Sequence, residues 1–196
     1  MAATESTMLE LGLRAPDFDL PNTNPGVGPK MVSLSEYAGA RALLVMFVCN
    51  HCPYVIHLRS ALVALANEYA GEGLQVVAIS SNSADSHPQD GPDAMREEAL
   101  EHNFPYAYLY DESQAVAKAY KAACTPDFYL FDEHQKLAYR GRFDASRPKN
   151  EIPVTGDDMR RAVETVLAGR TPPTEQIPSM GCNIKWAPGN QPEYSG

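Results

Sequence analysis

Phe47 to His57 reads FVCNHCPYVIH, with Cys49 and Cys52 three residues apart, His51 between them and Pro53 directly after. Cysteines at that spacing cycle between dithiol and disulfide, supply half of a metal site, or pack as inert core thiols. Sulfur reacts as its thiolate, and a helix N-terminus, with unpaired N–H groups and the positive end of the helix dipole, favours that anion. Cys49 falls where an apolar strand gives way to a helix, so it is the expected attacking thiol. Cys52, one turn on, is the expected resolving thiol, within reach of a small disulfide ring. Were the helix to start at Pro53 instead, Cys52 would be its cap and the nucleophile. His51, as a nearby cation, is expected to lower the thiol pKa.

A structural zinc site takes four ligands, usually as two such pairs. Here Cys124 and Cys182 stand alone. The expectation is therefore no metal, and no cofactor beyond the redox-active disulfide itself. A copper or zinc binder, using the same cysteines and a histidine without turnover, is the alternative from outside enzyme chemistry.

The positioning elements follow from apolar patterning. Ala42 to Phe47, in ALLVMFV, is an apolar run of the kind found in a strand covered on both faces. Val55, Leu58, Leu62, Leu65 and Tyr69 fall at helical spacing, with Gly71 and Gly73 beyond. Leu74 to Ser80 is a second buried strand. A long polar loop with His87 and Asp90 follows, then a helix from Met95 and a strand in YAYLYD. Asp111 and Gln114 have capping-box spacing for a helix through Tyr120. DFYLFD and KLAYRGRFD form a hairpin, and GDDMRRAVETVLAG a last helix. The order β-α-β-α-β-α-β-β-α gives an α/β fold with a central mixed sheet flanked by helices. The reading is one domain over residues 1–170 with a turn-rich N-terminal arm, 1–30, and a C-terminal tail, 171–196, carrying Cys182 and lying on the surface without regular structure.

Sixteen basic against twenty-five acidic residues, a net charge of −9, disfavour nucleic acid and anionic membranes as partners. The opening stretch, Met1 to Phe18, has no basic region followed by an apolar one, so the expected location is cytoplasmic. There a close cysteine pair is catalytic or metal-binding rather than part of a disulfide framework.

APDFDLP, VSLSEYAG, the strand ending in the cysteines, and YDESQAVAKAYKAACTPDFYLFD together resemble the thioredoxin-like superfamily. More narrowly they resemble its peroxiredoxin-like branch of alkyl hydroperoxide reductases and thiol-specific antioxidants (AhpC/TSA, or redoxins). The resemblance runs from residue 12 to about 168. It implies a thioredoxin-like fold with an N-terminal extension, and a cis peptide bond before Pro126. It also implies that Thr125 and Pro126 face the dithiol and offer backbone to a substrate. The tail's Cys182, Trp186, Pro188 and Gly189 match the spacing around a resolving cysteine of two-cysteine peroxiredoxins. Cys182, and Cys124 just before Pro126, are thus candidate additional redox thiols.

Two departures count against peroxidase chemistry. Three residues before Cys52 the branch has threonine, where Cys49 stands, and ACTPDFYLFD lacks the arginine the branch places near the thiolate. The implied activity is a thiol–disulfide oxidoreductase in antioxidant or redox homeostasis. Its partners would be a disulfide-containing protein or a low-molecular-weight thiol substrate, plus a separate reductant, and an oligomer is allowed. A thiol peroxidase resolved by Cys182 is the alternative.

Overall fold

A strand that is apolar at every position has no face to give to water and must lie inside a sheet covered on both sides. ALLVMF is such a stretch. In the computed structural model, which describes residues 3–194, every one of its residues is buried. Before it come β1 (Ala3–Glu5), β2 (Asp19–Pro21) and β3 (Met31–Ser33); the stretch itself is β4 (Ala42–Phe47). There follow α1 (Pro53–Ala70), β5 (Leu74–Ser80), α2 (Pro92–Glu101), β6 (Ala107–Tyr110) and α3 (Ala115–Ala119). The chain continues through β7 (Cys124–Thr125), β8 (Asp127–Asp132), β9 (Leu137–Arg140), α4 (Asp157–Leu167) and β10 (Met180–Asn183).

The main sheet has the order β6-β5-β4-β8-β9. The crossover strands β4, β5 and β6 are parallel, and the hairpin strands β8 and β9 are antiparallel, as expected. Because strand side chains alternate, β4 divides its residues between two cores. Leu44 and Met46 face α1, α2 and α4, where Leu62, Met95 and Val163 pack. Leu43, Val45 and Phe47 face α3 and the N-terminal segment, against Ala117, Tyr120 and Leu20. β4 is thereby clamped, and its carboxyl end delivers Cys49 to a fixed place.

Four expectations need correction. The N-terminal arm, read as turns within the domain, carries regular structure: it supplies β2, which pairs with β3, and it buries Leu9 and Phe18. Nor is the tail an irregular surface segment. Its β10 pairs with β1 on one side and β7 on the other, and Cys182 and Ile184 are buried. The proline-rich composition hid this strand, because the pairing partners are remote in sequence. Third, α2 begins at Pro92, whose missing N–H costs nothing in a first turn. Fourth, Asp111 and Gln114 form no capping box. Asp111 accepts the Ala117 N–H at 2.9 Å and the Ser81 hydroxyl at 2.8 Å. Gln114, in a left-handed conformation at φ 61°, turns its amide toward the tail at Lys185 and Ala187.

Asp127, first residue of β8, is fully buried. Burial raises its pKa from the ordinary 3.8 to about 6, against N–H and hydroxyl donors at Ala123 and Tyr129. A carboxyl raised in the folded state stabilises less as pH climbs: the folded form keeps its proton between about 4 and 6 while the unfolded form loses it. Asp127→Asn should therefore gain on the wild type by about 3 kcal/mol between pH 4 and pH 7.5, measured by urea unfolding under reducing conditions. A difference independent of pH would show that the carboxyl is not held neutral.

Candidate active site

The helix after the cysteines starts at Pro53, and Cys52 is its N-cap. Of the two arrangements the sequence allowed, this one puts Cys52, not Cys49, against the helix N-terminus. The reason is local: Pro53 lacks the N–H that an interior position would need, and its fixed φ suits a first turn. Cys49 lies before this, between the end of β4 and a bend at Asn50 and His51.

Both sulfurs are reduced and buried, and both meet at Thr125. The Thr125 hydroxyl is 3.5 Å from the Cys49 sulfur, and the Cys52 S–H donates to the Thr125 carbonyl at 3.0 Å. The two thiols also shift each other's titration in opposite directions, so they titrate as a unit. Loss of the first proton is made easy. Cys52 is lowered to about 5, foremost by the Cys49 hydrogen bond, then by Cys182, the Thr125 hydroxyl and the N–H of Val55, against its own burial. Loss of the second is made hard. Cys49 is held far above the ordinary thiol value by the proton it shares with Cys52, then by burial and the Asp90 charge. The Thr125 carbonyl, which accepts the Cys52 S–H, works against the ionisation of Cys52.

The loop between the sulfurs is held by a residue the sequence did not single out for this role. Asp90, read as part of a solvated loop, is fully buried forty positions from Asn50. Its Oδ1 accepts the N–H groups of Asn50 and His51 at 2.9 and 3.2 Å. Its Oδ2 accepts from the Asn82 amide at 2.8 Å and from His51 Nδ1 at 2.5 Å. His51 is therefore turned to Asp90 first, with the Cys49 sulfur farther off at 3.9 Å. The His87 ring stacks on His51, and the Tyr108 hydroxyl donates to the Asn50 side chain at 2.9 Å. The sequence shows Asp90 only as one acid of a long polar loop, and nothing in it ties that residue to the cysteines.

The Thr125–Pro126 bond is cis. The backbone beside it is not free for a substrate, which corrects the expectation for Thr125 and Pro126: Thr125 is already paired with Cys182 of β10, and Cys124 with Asn183. The Ser179 hydroxyl donates to the Pro126 carbonyl at 2.8 Å. Gly181 makes the approach feasible, because a Cβ there would lie 1.9 Å from the Thr125 oxygen. Cys182 thus reaches Cys52, and its own thiol is pushed up to about 12 by burial and by donating to Cys52. Cys124 is buried beneath, raised well above the ordinary value by burial. His57 is drawn off to Ser146, at 2.7 Å.

Cys49, His51 and Asp90 each offer a donor atom, all within 4.8 Å of one another, a set of sulfur, nitrogen and oxygen that suits zinc or copper. Asp90's oxygens are, however, already committed to the loop.

Two outcomes follow. Ultraviolet thiolate absorbance of the reduced protein should show a midpoint near pH 5, which Cys49→Ala moves upward by removing the main donor to Cys52. An unmoved midpoint would contradict the shared proton. Asp90→Ala, which strands two backbone N–H groups, should cost about 3 kcal/mol in urea unfolding; a loss no greater than that of an exposed carboxylate would remove Asp90 as the loop's anchor.

Comparison with known proteins fits this geometry. An uncharacterised conserved protein of Geobacillus kaustophilus is 50% identical, with a TM-score of 0.92, the match covering 96% of this chain and 98% of that one. A hypothetical protein of Sinorhizobium meliloti is 47% identical at TM-score 0.91, covering 95% and 100%. A putative thiol:disulfide interchange protein of Chlorobium tepidum shares the fold at 20% identity and TM-score 0.62, covering 81% and 99%. No curated protein matches the chain. The AhpC/TSA family model matches residues 11–140, most of the thioredoxin-like body from the N-terminal segment through β9, and the chain belongs to the AhpC/TSA family.

Proposed function

We propose that this protein is a thiol–disulfide oxidoreductase in which Cys52 is the attacking thiolate and Cys49 the resolving thiol. The order is the reverse of the one the sequence favoured. One observation carries it: Cys52 occupies the N-cap position of α1, directly before Pro53, and of the two thiols it is the one whose pKa is lowered, foremost by its neighbour Cys49. A substrate disulfide would be attacked at one sulfur by Cys52. The first substrate thiolate leaves, taking up a proton, and Cys52 holds the other half in a mixed disulfide. Cys49, its proton gone, attacks the Cys52 sulfur and expels the second thiolate. The substrate has gained two electrons and the dithiol has become the Cys49–Cys52 disulfide, which an external dithiol or thiol reductant restores. Thr125's hydroxyl is placed to support charge on either sulfur during this exchange. A cytoplasmic setting, an antioxidant role and the absence of a cofactor belong to the same reading.

Peroxide reduction is the second reading, favoured by the Cys-Pro pair at the first turn of α1. Against it, Cys49 occupies the place of the branch's threonine, and among the described residues neither sulfur has an arginine hydrogen-bond partner. Arg147, on the loop before α4, is engaged by the carbonyls of Asp144 and Ser146.

The test is to measure reduction of oxidised glutathione and of hydrogen peroxide on one preparation. Cys52→Ser should lower disulfide reduction by about a thousandfold and Cys49→Ser by about ten- to a hundredfold. Activity retained by Cys52→Ser but lost in Cys49→Ser would return the attack to Cys49, and peroxide turnover well above disulfide turnover would favour the second reading. A stoichiometric copper or zinc ion in native mass spectra of the reduced protein, lost in Cys49→Ala, would replace both with metal binding.

A further inference from the structure

The dithiol's partner edge is filled by the chain itself, and the filling is built rather than incidental. β10 lies antiparallel on β7 with Cys182 opposite Thr125, the residue whose carbonyl receives Cys52. On its other side β1 closes over it, Ala3 opposite Cys182 and Thr4 opposite Gly181. The segment beyond is strapped down. Lys185 donates its N–H to Asn82 and accepts one from Ser83, and Ala187 and Asn190 donate to Gln114. Position 181 admits glycine alone at this approach distance. An extended segment adding a strand at an exposed sheet edge, with one side chain set in a pocket, is how a peptide is recognised by strand addition. Here that peptide is Met180–Asn183, and the side chain is a thiol.

Resting on the function proposed above, we infer that Met180–Asn183 is a tethered substrate strand, with Cys182 exchanging for Cys49 as the disulfide partner of Cys52. The exchange balances without any co-reactant. Cys182 gives up its proton and attacks the Cys52 sulfur of the Cys49–Cys52 disulfide. The Cys52–Cys182 bond forms, the Cys49–Cys52 bond breaks, and Cys49 leaves as a thiolate that takes up the proton. No electrons are gained or lost. Part of what holds the proton on Cys182 in the reduced protein is donation to Cys52, and that cause disappears once Cys52 is in a disulfide. The same docking bears on the substrate class: a peptide that would pair with Thr125 must first displace β10, a demand that a low-molecular-weight disulfide does not face.

Oxidised glutathione is the probe, followed by acid quench and a non-reducing peptide map. Wild type should yield both Cys49–Cys52 and Cys52–Cys182 linkages, Cys49→Ser the Cys52–Cys182 linkage, and Cys182→Ser the Cys49–Cys52 linkage. Gly181→Ala, which forces β10 off β7, should cut the Cys52–Cys182 linkage by about tenfold or more through lost effective concentration, while Cys49–Cys52 still forms. It should also raise reduction of a disulfide-bonded peptide relative to that of glutathione. Cys49→Ser that gives only a glutathione adduct on Cys52, or a bond to Cys124, overturns the inference, as does Gly181→Ala leaving linkages and peptide preference unchanged. Failure of Cys49–Cys52 to form in Cys182→Ser overturns instead the function on which it rests.

Discussion

The site depends on one residue, Thr125, at which three sulfurs converge. Its hydroxyl faces Cys49, its carbonyl receives Cys52, and its backbone is the strand partner of Cys182. Thiols buried singly would be inert, because low polarity penalises the anion, as it does for Cys124. Buried together they stabilise one charge, since each remaining S–H donates to the sulfur that has lost its proton.

Such sharing requires the sulfurs to be held within hydrogen-bonding range, and three separate devices do this. β4, clamped between two apolar cores, fixes the approach to Cys49. Asp90 fixes the loop between the cysteines by taking two of its backbone N–H groups on one oxygen. Gly181 lets the tail backbone come close enough to bring up Cys182. Asp90 also limits the chemistry. Its charge opposes ionisation of Cys49 and keeps His51 turned toward itself, so the histidine serves the loop's geometry more directly than the sulfur's charge.

The thioredoxin-like body was legible because its signals are local. Continuous apolar runs can only be interior strands, and the spacing from Val55 to Tyr69 can only cover one helix face. The strand Leu74–Ser80 stands as read, and so does the hairpin, although its second strand, read as KLAYRGRFD, covers only Leu137–Arg140. The capping-box reading at Asp111 and Gln114 failed for the complementary reason. Asp111 does serve the first turn of α3 through the Ala117 N–H, with Ser81 on the same oxygen, but Gln114 is turned away to the tail, so the reciprocal pair of a capping box does not form.

By itself the sequence determined the order of the main-sheet strands and their helices and the place of a close cysteine pair at the end of the central strand, all of which follow from neighbours along the chain. Only the tertiary structure decided that Asp90 anchors the loop and that Cys182 completes the cluster across the edge of Thr125. Both depend on backbone groups left unpaired at the ends of strands and helices. Which distant segment satisfies such a group is fixed by the packing of the whole chain, so no local pattern records it.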